Sequence, residues 1–466
     1  MESRMKLNMF DDYWIDFRPD TIRRWFAPTP FSRIKKTLGY GSIVCDKKPG
    51  VYRLYYEVAV SLENNGVRNL YMIESTDLKS FSEPQLVYEG DGGVHGMTVF
   101  LDDRDPDPKR RYKLCGMTRL ISRRKDPEAR KRMEVELGFS ADGKAFVCDH
   151  TWLITAHTSD SDNNIFYNPI FEEYNLLHRS AYVDRRIAVK TSKDLKQWSD
   201  PHIVLQPSPV YGSDGFQTQQ YGMVANYFDG IFYGLLWQYR TIMTNTDWRK
   251  MAGVIEPELV YSYDGHEFLH TSGKTLIERP EAPQPGCAGI CPFGMVESLD
   301  GEYYYLYLGT KSVPHATDKE VAVLVKNITE QNIPIADSIY RIRKDRFCGI
   351  EGPGAGAQVI TKTVCLDKDD LSLNLNASCG SARFALTEYD LTPLPGFSYD
   401  DCIPFAFADA ADHRPQWKEH QISEVLGKRV RICVELNSAT LHCISAAARP
   451  YIVEIQKSFA EPIAVS

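Results

Sequence analysis

The heptapeptide Ser262-Tyr-Asp264-Gly-His-Glu-Phe268 has three close relatives elsewhere in the chain. All four copies follow the pattern Ser-x-Asp-(Gly/Leu)-x-x-aromatic, and the other three begin at Ser75, Ser140 and Ser192. An Asp side chain that accepts main-chain N–H groups, followed by a residue that tolerates positive φ, is typical of a tight turn between strands. A degenerate fifth copy is Arg343-Lys-Asp345-Arg-Phe347. The pattern therefore predicts a recurring β-hairpin.

Each copy follows an apolar or alternating run, so each is predicted to link the third and fourth strands of a four-stranded unit. Five such units in radial repetition form a five-bladed β-propeller. The third strand of the fifth unit is expected near 321–325. The first, innermost strands of the units are predicted at 41–45, 96–101, 164–167, 221–226 and 289–295.

The character of the sequence changes near residue 350. Gly352-Pro-Gly-Ala-Gly-Ala357 predicts a flexible boundary, and short strands separated by turn residues follow it. We therefore predict an all-β protein, with a five-bladed β-propeller at 1–350 followed by a C-terminal β-sandwich at 351–466. Residues 1–38 are expected to form an N-terminal arm of the propeller. The alternative is a set of ordinary hairpins in a sandwich.

The composition limits the classes of binding partner that are expected for this protein. The 466 residues carry a formal net charge of −8, which gives no general reason to bind nucleic acid or an anionic membrane. No apolar run approaches the ~18 residues of a membrane span, and no signal peptide is visible, so a cytoplasmic protein is expected. The only close cysteine pair, Cys287 and Cys291, has no further ligand at metal spacing. No metal and no cofactor are predicted, and a homo-oligomer remains open.

Several segments resemble a bacterial group that is similar to family-32 glycosyl hydrolases, the invertase and levanase type. The resemblance spans nearly the whole chain. It implies a propeller with a C-terminal sandwich, and glycoside hydrolase activity. Besides the repeated turns, it is carried by Phe10-Asp-Asp-Tyr-Trp-Ile15, Arg110-Arg-Tyr-Lys113, Pro395-Gly-Phe-Ser-Tyr-Asp-Asp-Cys402 and Gly427-Lys-Arg-Val-Arg-Ile-Cys-Val-Glu-Leu436.

This chain departs from the invertase-type pattern at three motifs. The signature Trp-x-Asn-Asp-Pro-Asn-Gly is absent, and so is the Glu-Cys motif of the general acid. Arg104-Asp105-Pro106 is present, but it lies in a charged run that reads as an outer loop. We therefore transfer no catalytic role to Asp105, and the reaction class rests on architecture and on other carboxylates.

Glycoside hydrolysis generally uses two carboxyl groups, one of which is protonated. Asp162, in an Asp/Asn-rich segment before an inner strand, is our candidate base, nucleophile or stabiliser. Glu57 lies within an apolar strand, where a carboxylate must be paired or face a cavity. Glu256 matches a position that is usually acidic in the resembling group, and this makes it the candidate general acid. Each has a structural alternative: an Asx-rich loop, a buried ion pair and an edge-strand charge respectively.

Hydroxyl-rich ligands favour planar donors and aromatic faces. The side chains predicted to bind substrate lie at inner strands or beside them, and the arginines leave an anionic sugar open. These candidates are His95, Asp160, Asn163, Arg179, Arg186, Gln220, Tyr221 and Gln238.

The sequence thus predicts a glycoside hydrolase that acts on a small glycoside or oligosaccharide, with a furanoside among the candidates, in the axial pocket of the propeller. The alternatives are a non-catalytic carbohydrate-binding propeller, a glycoside phosphorylase or transferase on the same scaffold, and a propeller that serves as an interaction platform.

Overall fold

The computed structural model describes residues 5–34, 39–60, 68–90, 95–118, 133–156, 161–180, 185–206, 216–242, 252–315 and 337–450. In these ranges the regular structure is β, apart from two short 3-10 helices, Pro108–Arg110 and Ile422–Val425. None of the helices in the described part of the chain is long and apolar enough to cross a membrane. The chain forms two compact units, Pro28–Ile342 and the described parts of Met1–Ala27 with Arg343–Ser466. The prediction of an all-β protein is confirmed.

The first unit contains five four-stranded antiparallel blades, as predicted. In the first four, the strands follow chain order from the inner to the outer edge. Blade one has Gly41–Asp46, Val51–Ala59, Arg68–Ser75 and Gln85–Tyr88; blade two has His95–Leu101, Tyr112–Thr118, Met133–Ser140 and Leu153–Ala156. Blade three has Asn164–Asn168, Glu173–Arg179, Ile187–Ser192 and His202–Ile203; blade four has Phe216–Phe228, Ile231–Ile242, Gly253–Ser262 and Leu269–His270.

Blade five is completed by a strand from the N-terminal part of the chain. Its first two strands are Gly289–Glu297 and Tyr303–Lys311, and its third is Asp337–Arg343. The predicted position of that third strand, 321–325, lies outside the described residues. The fourth strand is Thr29–Ile34, which pairs antiparallel with Asp337–Arg343. The ring of blades is therefore closed by residues that are distant in sequence.

The repeated turns lie where the sequence predicts them, between the third and fourth strands of blades one to four. In the copy that begins at Ser262, the Asp264 carboxylate accepts the N–H groups of His266 at 2.8 Å and Glu267 at 2.9 Å. The fourth residue of that copy, Gly265, has φ of +78°. The aromatic residue of the pattern precedes the fourth strand, as Phe268 does before Leu269–His270.

Polar side chains tie the inner strands of adjacent blades together near the axis. Ser42 Oγ of blade one accepts the N–H of Val99 of blade two at 2.9 Å. Thr98 donates its hydroxyl to the carbonyl oxygen of Asn163, which precedes the inner strand of blade three. Asn164 Oδ1 in turn accepts the N–H of Ala225 of blade four at 2.9 Å. These bonds fix the starts of the inner strands relative to one another.

The second unit consists of two antiparallel sheets, which form the predicted β-sandwich. The first contains, in spatial order, Ile22–Trp25, Cys348–Gly352, Ala439–Ala446, Ser372–Asn376 and Asp409–His413, with Met5–Asn8 also paired to Ala439–Ala446. The second contains Ile15–Phe17, Ala357–Thr361, Arg429–Asn437, Val364–Leu366 and Ala448–Pro450, with Ser381–Thr387 and Phe405–Ala406 at its side.

Three strands of this unit come from the segment that was expected to be an arm of the propeller. Met5–Asn8, Ile15–Phe17 and Ile22–Trp25 pair with strands that follow residue 348, so the structure assigns residues up to Ala27 to the C-terminal unit. Leu7 and Ile15 are buried there. Of the described residues of the predicted arm, those from Pro28 onward, with the strand Thr29–Ile34, belong to the propeller unit.

Candidate functional site

Glu57 is a fully buried carboxylate surrounded by donors. It follows the position paired with Gly41, and so lies at the end of blade one where the inner strand begins. Arg68 contacts Oε1 at 3.1 Å. On the other side, Oε2 accepts the main-chain N–H groups of Gly96 at 3.1 Å and Met97 at 3.5 Å. Arg68 and the two main-chain N–H groups thus surround a carboxylate that has no exposed surface.

His95, at the start of the inner strand of blade two, is the partially exposed partner of Glu57. Its Nδ1 lies 2.8 Å from Glu57 Oε1, and its side chain is 23% exposed whereas that of Glu57 is 0% exposed. The edge of its ring meets Tyr40, with the centroids 4.7 Å apart. Among the described residues, Nε2 has no hydrogen-bond partner. The imidazole of His95 thus connects the buried carboxylate to the exposed part of the site.

Asp162 is the second buried acid. It is 1% exposed, and neither carboxylate oxygen has a hydrogen-bond partner in the described part of the chain. Burial raises the pKa of Asp162 well above its ordinary value, and the negative charge of Glu57 raises it further. Both effects favour the protonated form of the Asp162 carboxyl group.

Gly96 lies between the side chain of Glu57 and the segment that carries Asp162. Gly96 donates its N–H to Glu57, and a Cβ added at Gly96 would overlap the carbonyl oxygen of Ser161. Ser161 also donates its hydroxyl to the carbonyl oxygen of Tyr221 at 2.6 Å. The segment that carries Asp162 is thus fixed between blades two and four.

Aromatic rings from blades one and four line the same end of the propeller. Trp237 is stacked between Tyr40 and Tyr221, at centroid distances of 5.6 Å and 6.3 Å. Burial and the neighbouring Tyr221 raise the pKa of Tyr40 well above its ordinary value, so Tyr40 stays a neutral phenol. The stack is an aromatic wall that is mostly buried, since Trp237 is 1% exposed and Tyr221 is 6% exposed, and among its three rings only Tyr40 is half-buried.

Two arginines of blade three face this wall. The guanidinium carbon of Arg179 lies 5.2 Å from the ring centroid of Tyr221. That of Arg185 lies 5.7 Å from the same centroid and 4.9 Å from the centroid of Tyr239. His315 meets both tyrosines edge-on, at 4.9 Å from Tyr221 and 5.6 Å from Tyr239. Five blades therefore contribute side chains to one region.

Of the predicted site residues, the structure brings Glu57, His95, Asp162, Arg179 and Tyr221 into this region. Asn163 follows Asp162 directly, and its side-chain amide donates to the carbonyl oxygen of Ser161 at 2.9 Å. Asp160 lies outside the described residues. These placements leave the roles of the residues as predictions.

Glu256 lies in a separate group of charges. Its Oε1 accepts from Arg279 at 2.9 Å and its Oε2 from Arg240 at 3.3 Å. No contact joins it to Glu57 or Asp162 among the described residues. The position is that of a structural ion pair, and the role of general acid stays a prediction.

Three further candidates have structural partners. Gln220 bridges two main chains, since its Oε1 accepts the N–H of Ile187 at 3.0 Å and its Nε2 donates to Leu205 at 3.1 Å. Gln238 donates to the buried Glu258 at 2.6 Å. Arg186 is directed to Gln206 at 3.4 Å, whereas its neighbour Arg185 faces the tyrosines. These contacts account for Gln220 without a ligand, whereas the buried Oε1 of Gln238 has no hydrogen-bond partner among the described residues.

The sequence-based selection omitted Arg68, Tyr40, Trp237, Arg185 and His315. Tyr40 carried a usable signal, because it directly precedes an inner strand, as His95 does. Arg68 and His315 carried none, because their positions depend on pairing across the blades.

Buried charged contacts anchor the loop Arg104-Asp105-Pro106, to which no catalytic role was transferred. Lys113 is fully buried, and its Nζ lies 2.9 Å from Asp102 and 3.0 Å from Asp105. The hydroxyl of Tyr174 also donates to Asp102, at 2.7 Å. In the described ranges no group of three or more His, Cys, Asp or Glu side chains could hold a metal ion.

No protein-family model matches the sequence, and no curated protein does either. Among solved structures, the chain is similar to an endo-arabinase from Bacteroides thetaiotaomicron, at 15% identity and a TM-score of 0.41, over 63% of this chain and 95% of the other. A fructofuranosidase from Schwanniomyces occidentalis is 10% identical, with a TM-score of 0.40, over 91% and 97%. A beta-1,2-mannobiose phosphorylase from Listeria innocua is 13% identical, with a TM-score of 0.43, over 66% and 90%.

Proposed function

We propose that this protein is a glycoside hydrolase that acts on a small glycoside or oligosaccharide at the end of the propeller where the inner strands begin. The observation that carries the proposal is the pair of buried acids in different environments. Asp162 has a raised pKa and no hydrogen-bond partner among the described residues, while Glu57 is surrounded by donors. Two carboxyl groups kept in opposite protonation states are what glycoside hydrolysis requires.

In this proposal Asp162 is the proton donor, which differs from the role of base, nucleophile or stabiliser inferred from the sequence. The oxygens of Asp162 are also buried, so the proposal requires that substrate binding give access to its carboxyl group; its proton then passes to the glycosidic oxygen as the bond to the anomeric carbon breaks. Glu57, with no exposed surface, acts through His95. When Nδ1–H of His95 donates to Glu57, Nε2 is the acceptor that takes a proton from the attacking water. A water activated in this way gives a single displacement and inversion at the anomeric carbon.

The resemblance to family-32 glycosyl hydrolases gives the substrate class, and the half-buried ring of Tyr40 beside His95 supports it. An aromatic ring with a hydroxyl group can bind the face and the edge of a sugar ring. Neither source specifies the sugar or the linkage, so the assay must survey both furanosides and pyranosides.

The test is a screen of aryl glycosides and oligosaccharides with the wild type and with Asp162→Asn, His95→Gln and Glu256→Gln. We expect Asp162→Asn to lower kcat/KM for oligosaccharides by about 10²–10⁴-fold, since a general acid contributes about that much. Aryl glycosides with good leaving groups should lose less. The comparison variant Glu256→Gln should stay within a few-fold of the wild type.

Two results would overturn this assignment. Unchanged turnover in Asp162→Asn would show that Asp162 is not the acid, and a large loss in Glu256→Gln would return the role to Glu256. Saturable sugar binding without turnover in the wild type would favour a carbohydrate-binding propeller instead.

A further inference from the structure

His270 lies between two hydrogen-bond acceptors that come from different blades. Its Nδ1 lies 2.6 Å from Oε1 of Glu258, on the third strand of blade four. Its Nε2 lies 2.8 Å from the main-chain carbonyl oxygen of Gln206, which follows the fourth strand of blade three. Both ring nitrogens of one histidine therefore face an oxygen that accepts hydrogen bonds.

Two hydrogens are needed to satisfy these two contacts. A neutral imidazole carries one N–H group and one acceptor nitrogen, so it can serve only one of two acceptors. The pair formed by Glu258 and His270 must therefore hold two protons, one between Nδ1 and Oε1 and one on Nε2. When Glu258 is a carboxylate, this state is an imidazolium that donates to both neighbours.

The surroundings of the pair favour this doubly protonated state. The side chain of Glu258 is 0% exposed and that of His270 is 20% exposed. The other oxygen of Glu258 accepts from Nε2 of Gln238 at 2.6 Å. Burial works against a charged His270, but the hydrogen bond and charge of Glu258, with the bond to Gln206, outweigh it and raise the pKa of His270 above the ordinary 6.5.

Other charges near His270 are one contact further away. Apart from Glu258, no charged side chain has a hydrogen bond or ion pair with His270 among the described residues. From blade three, Arg186 lies 3.4 Å from the side chain of Gln206. On the third strand of blade four, Glu256 precedes Glu258 by two residues and is paired with two arginines. The protonation of His270 is therefore coupled chiefly to Glu258.

The contact with Gln206 joins the end of blade three to the outer strand of blade four. Leu269–His270 pairs with the third strand of its own blade, at Tyr261 and Val260. Towards blade three, the main-chain N–H of Phe268 donates to the carbonyl oxygen of Val204 at 2.8 Å. His270 adds a side-chain bond to the same segment, two residues further along each chain.

We propose that Glu258 and His270 form a proton-dependent clamp, which fastens the end of blade three to the outer edge of blade four and opens when the pair loses a proton. The proton that remains stays between Nδ1 and Oε1, because a hydrogen bond to a buried carboxylate is the stronger of the two. Nε2 then presents a lone pair to the carbonyl oxygen of Gln206, and two acceptors repel one another. The bond between the blades is therefore the one that is lost as pH rises.

The clamp is independent of the proposed catalysis, because neither of its residues has a catalytic role there. A histidine whose folded-state pKa is raised stabilises the fold fully below its unfolded pKa of about 6.5, and loses this effect as pH rises through the folded value. Alkaline conditions should thus loosen the contact between blades three and four, and mildly acidic conditions should keep it closed.

The first test follows the titration of His270 by NMR, in the full chain isotopically labelled at histidine Cε1. The signal is assigned by its absence in His270→Gln. We expect an apparent pKa above 6.5 in the wild type and a lower value in Glu258→Gln. His266→Gln is the matched control, because His266 contacts a different acid, Glu173, at 2.6 Å. In that variant His270 should titrate as it does in the wild type.

The second test measures opening by hydrogen exchange with mass spectrometry, comparing proteins at the same pH. At about pH 6, peptides that contain 204–206 and 268–270 should exchange on the order of tenfold more slowly in the wild type than in His270→Gln. At about pH 9 this difference should be lost. The strand Gly41–Asp46 of blade one is the internal control and should exchange alike in both proteins.

Three results would overturn the clamp. The first is a wild-type His270 signal that titrates at or below about pH 6.5, and the second is an apparent pKa that is unchanged in Glu258→Gln. The third is an exchange difference as large at about pH 9 as at about pH 6. Circular dichroism checks that the variants are folded. If His270→Gln is not, His270→Asn, which keeps a donor for Glu258, provides the assignment and the comparison.

Discussion

The main chain at Gly96 contacts both the buried Glu57 carboxylate and the segment that carries the buried Asp162. Its φ is +66°, and an added Cβ would overlap the carbonyl oxygen of Ser161. We expect Gly96→Ala to lower the free energy of unfolding by about 2–4 kcal/mol, because backbone strain and overpacking each cost about 1–3 kcal/mol. Urea unfolding measures the loss. Activity should fall as well, since the change displaces the main-chain donor to Glu57.

Gly50 provides the matched control for this prediction. Its φ is +71°, but no atom lies within 4 Å of the position a Cβ would take. Gly50→Ala therefore incurs the conformational cost alone, about 1 kcal/mol. Equal losses in the two variants would show that Gly96 is not packed against Ser161.

The candidate site could be predicted from sequence only in part. Glu57 was identifiable because an acid in the middle of an apolar strand requires a partner or a cavity. Asp162 was identifiable by its place before an inner strand. Arg68 was not, because its contact with Glu57 depends on the register of two strands separated by 61–67. Choosing Arg186 over Arg185 shows a related limit, since both precede the strand Ile187–Ser192 and no strand periodicity indicates which of them contacts Tyr221 and Tyr239.

At the scale of the element, the repeated turns are built by an Asp acceptor. Asp264 accepts two main-chain N–H groups, and the hydroxyl of Ser262 contacts the same carboxylate at 2.9 Å. We expect Asp264→Ala to cost about 1–3 kcal/mol of unfolding free energy, because donors lose their acceptor. Asp264→Asn, which keeps one acceptor oxygen, should cost less. Equal costs in thermal or urea unfolding would contradict this role.

The same turns give a defined pH dependence. Main-chain donation from Lys144 lowers the pKa of Asp142, although burial opposes it. A carboxyl whose folded-state pKa is lowered stabilises the fold fully above its unfolded pKa of about 3.9, and loses this effect as pH falls through the folded value. The stability difference between wild type and Asp142→Asn should therefore be constant from pH 7 to pH 5 and shrink below about pH 4. Urea unfolding at each pH tests this, and a gap as large at pH 3 as at pH 7 would contradict it.

At this scale, the part of the fold that the sequence did not predict is the fourth strand of the fifth blade. The first four blades each carry a local turn signal, so their strand order followed from the sequence. Thr29–Ile34 pairs with Asp337–Arg343 across about 300 residues. No turn residue marks such a pairing, because it is determined by ring closure and not by a local preference of the chain.

At the scale of the whole chain, the boundary near 350 was visible as a glycine-rich segment, but the role of the N-terminal residues was not. Ile22–Trp25 and Ile15–Phe17 are short, and their side chains do not alternate clearly between apolar and polar. They form strands because Cys348–Gly352 and Ala357–Thr361 offer unpaired edges. Tertiary pairing outweighs weak local propensity here.

This assignment predicts the effect of removing residues 1–27. The deletion takes one strand away from Cys348–Gly352 and another from Ala357–Thr361, along with the buried Leu7 and Ile15. Amide hydrogens in these two strands should then exchange on the order of tenfold faster or more, because local opening no longer breaks an edge pairing. Blade one strand Gly41–Asp46, which lies in the other unit, serves as the internal control and should keep its protection. Hydrogen exchange with mass spectrometry measures both, and unchanged protection at Cys348–Gly352 would show that the N-terminal strands do not belong to the C-terminal unit.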